Sequence, residues 1–193
     1  MTEELSFEAY LSLSQNKFQI YLLDKKSLKN IYKEEVYLEN GLDLIDYNLL
    51  HSFLDKNIYK IEKLIGNFIK NIILIVKNEK NLKINMGIKK SYETSLKQKS
   101  FSSNLTELKD LFKKNYQQQT IMHMCIINYI IDGKRYSSFD TKLINEYFCI
   151  EVSFIAIDNK LVFAFDNVLE KYQIKIKQYM CGNYINNFIG DTD

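Results

Sequence analysis

The chain has 193 residues, of which 46% are hydrophobic and 26% charged, a balance that excludes a disordered protein. A formal net charge of +2 is too small for the strongly basic face of a nucleic-acid-binding protein. The acidic start, Met-Thr-Glu-Glu, differs from a signal peptide, and every apolar run is shorter than the roughly 20 residues of a membrane span. We therefore predict a cytoplasmic protein without direct membrane insertion.

The N-terminal part of the chain alternates apolar with polar residues, which is the pattern of strands with one covered face. It predicts strands over residues 6–13, 17–23 and 29–38. The first two strands are joined by a turn at Ser14-Gln15-Asn16, and a further turn is predicted at Glu39-Asn40-Gly41.

The next segment contains the clearest helical periodicity. Leucines and isoleucines between 48 and 68 recur at spacings of three and four, which predicts an amphipathic helix with Asp46 near its start. His51 lies on the polar flank of this helix and is interpreted as a solvated side chain. The unbroken apolar run 72–76 predicts a strand covered on both faces, whereas the alternating stretch 82–89 predicts a strand with one wet face.

A polar segment follows. The Ser- and Lys-rich stretch 91–103 is interpreted as a loop. A second helix is predicted over 104–115, with Asn104 as its N-cap and Glu107 three residues later, which is a capping-box arrangement.

Two apolar runs, 121–131 and 147–157, are rich in β-branched and aromatic residues and are predicted to be neighbouring strands of one sheet. Asp132-Gly133 tolerates positive φ and predicts a turn after the first run. His123 and Cys125 point the same way from the first strand, but both lie within an apolar run. They are therefore interpreted as core residues rather than as a nucleophilic pair.

The C-terminal part predicts a third helix after Asp158 as far as Tyr172, a last strand over 174–180 and a short terminal helix over 183–188. Strands and helices are thus interleaved along the whole chain, which predicts an α/β or α+β fold.

The sequence contains no recognised catalytic or ligand-binding motif. Its six glycines form no phosphate-binding loop, and its three cysteines form no metal-binding pair. Cys125, Cys149 and Cys181 are interpreted as buried thiols in a reducing compartment. We therefore predict a protein that is not an enzyme and has neither a cofactor nor a metal.

One family resemblance follows from the order of these elements. The helix 48–68 is followed by the strand 72–76, the strand 82–89 and the helix 104–115, and the strand 121–131 ends in Tyr129-Ile-Ile-Asp-Gly133. This order and this turn resemble the N-terminal half of FtsA, the bacterial cell-division protein of the actin family. Lys17–Asp24 then stands where that family begins its first long hairpin.

The resemblance implies a partial actin-like, ribonuclease H-like first lobe with an inserted small α+β subdomain. Residues 1–81 and 173–193 would form the remnant of that lobe, and residues 82–172 would form the inserted strand-helix-strand-strand subdomain. The second lobe and the C-terminal membrane helix of FtsA would lie beyond residue 193, so the chain is identified as a truncated homologue.

One departure from the family bears on activity. Actin-like ATPases hold phosphate with an Asp-x-Gly-Ser/Thr loop, because only glycine lets the backbone amides approach the phosphate closely. The stretch assigned to that loop is Asp24-Lys25-Lys26-Ser27, which contains no glycine. We therefore expect no ATP binding.

These features predict a non-catalytic, FtsA-like adaptor of bacterial cell division that binds other division proteins through the inserted subdomain. The predicted contact residues are Gln117, Gln118, Gln119, Lys134 and Arg135. The resemblance to a partial lobe also implies an uncovered strand edge, and hence a possible homodimer.

Three alternatives remain open. One is the pilus-assembly relative of FtsA, which has a similar insert and binds a short peptide of a membrane protein. A second is a small enzyme of unrecognised family. The third is a single-stranded nucleic-acid binder, which would require Tyr129, Tyr136 and Tyr147 to be exposed beside basic residues on one sheet face.

Overall fold

The computed structural model describes residues 7–38, 45–91, 98–138 and 146–189, and within them the chain forms nine strands and four helices. The strands are β1 (Phe7–Leu13), β2 (Lys17–Asp24), β3 (Lys29–Tyr37), β4 (Asn71–Val76), β5 (Leu82–Ser91), β6 (Gln119–Ile131), β7 (Lys134–Tyr136), β8 (Tyr147–Asp158) and β9 (Lys175–Cys181). The helices are α1 (Tyr47–Ile65), α2 (Gln98–Asn115), α3 (Asn159–Glu170) and α4 (Gly182–Ile189). None of them combines the length and the hydropathy of a membrane-crossing helix.

The chain divides into two compact units. The first unit comprises Met1–Lys80 and Leu161–Asp193, and the inserted unit comprises Asn81–Lys160. The first junction lies one residue from the predicted one. The second junction lies at 160/161 rather than at the predicted 172/173.

The first unit contains a five-stranded sheet in the order β3-β2-β1-β4-β9. Strands β1, β2 and β3 form an antiparallel meander, and β4 and β9 run parallel to β1. Helix α1 packs on one face, where the ring of Phe53 contacts that of Phe18 and Asn57 accepts a hydrogen bond from Tyr32. Apolar side chains therefore alternate along β1 and β2 because only one face of that hairpin meets the helix.

Local signals place the ends of α1. The carboxylate of Asp46 accepts hydrogen bonds from the N–H groups of Asn48 and Leu49, and so caps the first turn as predicted. Gly66 adopts φ 65°, the left-handed conformation that ends helices. The helix therefore stops at Ile65, although the apolar periodicity predicted that it would continue to residue 68.

Helix α3 begins at the predicted cap, since the N–H of Lys160 donates to Asp158 over 2.8 Å. From Leu161 onward, the residues of this helix belong to the first unit. Phe165 packs against Tyr47 of α1 at a ring-centroid distance of 6.3 Å, and the Tyr179 hydroxyl of β9 donates to Asp166 over 2.7 Å. These contacts explain why the second junction follows the second residue of α3, whereas the sequence predicts that the whole helix belongs to the inserted subdomain.

The inserted unit contains a four-stranded antiparallel sheet in the order β5-β8-β6-β7, with α2 packed on one face. The prediction that 121–131 and 147–157 are neighbouring strands is confirmed. The turn between β6 and β7 is also confirmed, with φ 47° at Asp132 and 83° at Gly133. The core of this unit lies between α2 and the sheet and is formed by Leu108, Phe112, Ile131, Phe148, Ile150, Val152, Phe154 and Ala156.

Helix α2 starts at Gln98, so the prediction of a loop over 91–103 is wrong from 98 onward, and residues 92–97 lie outside the described part of the chain. Asn104 is not a cap but a buried residue within the helix. Leu108 and Phe112 pack against the sheet and stabilise the part of the helix that the sequence predicts. The predicted turn at 39–41 also lies outside the described residues.

We expect Phe154→Ala to destabilise the protein, because Phe154 is fully buried and its ring stacks on Phe112 with centroids 4.7 Å apart. The free energy of unfolding should fall by about 3–5 kcal/mol, as measured by urea denaturation of the whole chain. Phe163→Ala is the matched control, since Phe163 is 68% exposed, and its effect should be under about 0.5 kcal/mol. Equal losses in the two variants would contradict the assigned core.

Candidate functional site

The carboxyl ends of the three parallel strands meet at one edge of the first sheet. Leu13 at the end of β1 pairs with Val76 at the end of β4, which pairs with Cys181 at the end of β9. In sheets with parallel strands, ligands bind outside such ends. This edge is therefore the candidate ligand site of the first sheet.

The turn that follows β1 is Ser14-Gln15-Asn16, and it is closed by its own hydrogen bonds. The N–H of Ser14 donates to the carbonyl of Lys17 over 3.0 Å, and the Ser14 hydroxyl donates to Asn16 over 2.8 Å. The turn contains no glycine. Side chains therefore stand where a phosphate-binding loop needs bare backbone.

The stretch that we assigned to the phosphate loop lies elsewhere. Asp24-Lys25-Lys26-Ser27 joins β2 to β3, because residues 7–13 form the first strand and residues 17–24 the second. The Lys26 N–H and the Ser27 hydroxyl donate to the Asp24 carboxylate, and these hydrogen bonds hold its pKa below the ordinary value. The assignment was thus wrong by one hairpin, although neither turn contains glycine.

At the carboxyl ends of β4 and β9, a lysine side chain packs closely against a glycine. Lys77 follows β4, and its side chain packs so tightly on Gly182 after β9 that a Cβ at position 182 would collide with it. The Lys77 Nζ lies 3.2 Å from the side-chain amide of Asn186. The turn after β4, residues 77–81, contains one carboxylate, Glu79, and the turn after β1 contains none. Elsewhere among the described residues, no cluster of His, Cys, Asp and Glu is arranged to bind a metal.

The inserted unit presents a second candidate surface, the face of its sheet opposite α2, which we call the open face. On β5 the side chains alternate, so that Met86 and Ile88 pack into the core while Lys83, Asn85 and Lys89 are exposed. The alternation follows from the pleat, and the exposed set matches the wet face predicted for 82–89.

Two rows of directly opposed residues cross the outer part of the open face. One row runs through Lys89, Cys149, Ile130 and Arg135 on β5, β8, β6 and β7. The adjacent row runs through Gly87, Glu151 and Asn128. With neighbouring strands about 4.8 Å apart, the backbones of Lys89 and Arg135 lie about 14 Å apart.

Some polar groups of these rows form hydrogen bonds or cation–π contacts, and others are exposed to solvent. The Asn128 amide donates to the Glu151 carboxylate over 2.8 Å, and the Lys89 Nζ lies 3.6 Å from the centroid of the Tyr147 ring. Burial, followed by the charge of Glu151, raises the pKa of the Cys149 thiol, which therefore stays protonated and unreactive near neutral pH. Arg135 is exposed and forms no ion pair within the described ranges.

His123 and Cys125 lie farther along the same face, opposite Ile155 and Ser153. Both are half-buried, and burial lowers the pKa of His123, so its imidazole is neutral near neutral pH. This environment is consistent with packing rather than with nucleophilic chemistry.

The contact residues predicted from the sequence do not form one site. Gln117–Gln119 lie at the start of β6 and Lys134–Arg135 follow its end, and a strand of 13 residues is roughly 40 Å long. The carbonyls of Gln117 and Gln118 accept hydrogen bonds from Asn159 over 3.0 and 2.9 Å, so their backbone ties β6 to the start of α3. Only Arg135 lies on the open face.

The open face also bears on the nucleic-acid alternative. Tyr129 and Tyr136 pack against the core beneath α2, so they offer no stacking platform on the open face. Tyr147 does lie on the open face, under Lys89. The sequence did not identify Lys89, Tyr147, Asn128 and Glu151 as a group, and the alternation along β5 was the only signal that pointed to them.

His51 has partners that the sequence did not reveal. Its Nδ1 lies 3.4 Å from the Tyr172 hydroxyl and its Nε2 lies 3.1 Å from the Lys171 Nζ. The Tyr172 hydroxyl donates to Asp55 over 2.7 Å, and burial together with that carboxylate raises the pKa of Tyr172. The cluster joins α1 to the turn after α3, so the interpretation of His51 as a solvated residue without partners is corrected.

No protein-family model and no curated protein matches this sequence. Among solved structures, the PilM–PilN type IV pilus biogenesis complex is similar at a TM-score of 0.58 and 8% identity, over 94% of this chain and 49% of that chain. The cytoplasmic domain of EpsL, an inner-membrane component of the type II secretion system of Vibrio cholerae, is similar at a TM-score of 0.40 and 10% identity. The match covers 91% of this chain and 56% of that chain. A Bacteroides thetaiotaomicron protein with an actin-like ATPase fold and unknown function is similar at a TM-score of 0.35 and 16% identity. The match covers 97% of this chain and 57% of that chain.

These similarities concern the fold. The mixed α/β architecture with two sheets is the predicted fold class. The chain spans about half the length of the structures that it matches.

We expect Asp132→Ala to destabilise the hairpin that carries Lys134 and Arg135. The Asp132 carboxylate accepts hydrogen bonds from the N–H groups of Glu146 and Tyr147 over 3.0 and 2.9 Å, and its φ is 47°. Alanine loses both bonds and tolerates that φ poorly, so the free energy of unfolding should fall by about 1–3 kcal/mol in urea. Asp132→Asn keeps an acceptor and tolerates positive φ, so its loss should be smaller, and equal losses would contradict this role.

Proposed function

We propose that this chain is a non-catalytic adaptor of actin-like fold that binds other proteins of a bacterial assembly through its inserted unit. The observation that carries the proposal is the turn after β1. Ser14-Gln15-Asn16 occupies the place of the phosphate loop, has no glycine and closes on its own hydrogen bonds. An actin-like fold that cannot cradle phosphate is more suited to binding than to ATP hydrolysis.

The inserted unit supports the binding role. Along β5, the side chains on the open face are exposed to solvent. The edge of β6 that faces away from β8 pairs with β7 over Tyr129–Ile131 only. Ile126 and Ile127, which precede that pairing, are 37% and 43% exposed. Exposed apolar side chains beside a sheet edge are features of protein-binding surfaces.

Two assemblies fit this adaptor role. The fold similarity to the PilM–PilN complex favours an assembly of the pilus-biogenesis type, in which the chain would take a second protein as its partner. The Tyr129-Ile-Ile-Asp-Gly133 turn favours the FtsA-like role, in which the partners are cell-division proteins. The site of action in both cases would be the cytoplasm.

We expect no saturable heat of binding when ATP is titrated with magnesium into the whole chain in a calorimeter. The physical reason is that no turn at the carboxyl ends of β1, β4 and β9 offers a glycine loop and a carboxylate together. An actin-like ATPase titrated in the same buffer is the positive control. Saturable binding in the micromolar range would overturn the adaptor proposal in favour of an active nucleotide site.

We expect a photocrosslinking residue at position 134 to capture a component of a pilus, secretion or division assembly in living cells. The same residue at position 118 tests the opposite end of β6, and position 59 on α1 is the control, since Tyr59 is 69% exposed in the first unit. Products would be identified by mass spectrometry. Crosslinks from position 59 alone would contradict binding through the inserted unit.

A further inference from the structure

We infer that the outer part of the open face binds an acidic amphipathic helix of the partner protein. This inference rests on the proposed adaptor function and specifies the chemistry of its partner. The surface consists of the row Lys89-Cys149-Ile130-Arg135 and the adjacent row Gly87-Glu151-Asn128.

The dimensions of this surface suit a helix. The backbones of Lys89 and Arg135 lie about 14 Å apart across four strands, and an α-helix with side chains is about 10–12 Å wide. A helix that lies along the strands between these two residues therefore has a cation on each flank. Long Lys and Arg side chains can reach up to carboxylates on either side of such a helix.

The sheet surface between Lys89 and Arg135 carries short and largely apolar side chains. Ile130 and Cys149 form its centre, and both are half-buried. Gly87 has no side chain, so the Cys149 Sγ comes within 3.3 Å of the place a Cβ would take. Because the thiol is protonated and Ile130 is aliphatic, this part of the sheet surface suits the apolar stripe of an amphipathic helix.

The charges favour an acidic partner. Lys83, Lys89 and Arg135 form no ion pair within the described ranges, and the Lys89 Nζ lies over the ring of Tyr147. The one carboxylate in the two rows, Glu151, already accepts a hydrogen bond from Asn128. The sequence of the inserted unit contains twelve Lys or Arg and eight Asp or Glu, which attracts an acidic partner over a longer range.

Two other occupants are less well matched. In a second copy, the last turns of α1 and α2 carry Lys63 and Lys113 with Lys114, which would be repelled by these cations. The apolar residues Phe165, Val168 and Leu169 of α3 are already buried within the first unit. An anionic membrane is attracted by clusters of about 4–8 Lys or Arg, whereas the two rows contain two cations and one carboxylate.

The test uses the whole chain and a phage-displayed library of random helix-forming peptides as the probe. We expect selected peptides to combine an apolar i, i+3, i+4 stripe with Asp and Glu on both flanks. Their affinity, measured by fluorescence anisotropy, should fall about tenfold or more in the double variant Lys89→Glu and Arg135→Glu, and should weaken with added salt. Lys89→Gln with Arg135→Gln, which only removes the charges, should give a smaller loss.

The control for net charge is Lys25→Glu with Lys26→Glu, two exposed lysines in the turn after β2, which should leave the affinity unchanged. Thermal unfolding of each variant checks that the chain still folds. Selected peptides without acidic enrichment, or an affinity that both reversals lower equally, would overturn the inference. Binding to vesicles of phosphatidylcholine and phosphatidylglycerol that requires Lys89 and Arg135 would overturn it in favour of a membrane surface.

The outcomes separate this inference from the proposed function. Crosslinks from position 134 together with selected peptides that lack acidic residues would refute the acidic helix and leave the adaptor function in place. Saturable ATP binding would refute the adaptor function whatever the peptides contain.

Discussion

The alternation of side chains along β8 is the constraint on which the inserted unit depends. Phe148, Ile150, Val152 and Phe154 point to α2 and are almost fully buried, whereas Cys149 and Glu151 between them point to the open face. One strand thus supplies both the core and the candidate binding surface. A shift of the register by one residue would exchange the two sets, so core packing also determines which side chains a partner meets.

The partner strand β6 adapts to this register through two irregularities. Its pairing with β8 shifts between Ile121 and His123 and again between Ile126 and Asn128. Each extra residue bends the strand and interrupts the ladder between β6 and β8. The second irregularity also brings Asn128 opposite Glu151. There the Asn128 amide donates a hydrogen bond to the Glu151 carboxylate, on a surface that is otherwise basic.

The parallel strands of the first unit determine where its candidate site lies. Three parallel strand ends meet at one edge, but the turn after β1 has side chains at every position and Lys77 packs across Gly182. The glycine-free turn after β1 is the observation on which the adaptor proposal depends.

The sequence by itself determined most of the elements, the β6–β8 pair, the caps at Asp46 and Asp158 and the Asp132-Gly133 turn, because these depend on local periodicity and local hydrogen bonds. Tertiary structure alone decided the rest. The start of α2 at Gln98 was not predicted from its polar sequence, and the partners of His51 lie about 120 residues away in the chain. The row from Lys89 to Arg135 likewise exists only after four strands pair in register, since no residue in it is a sequence neighbour of another.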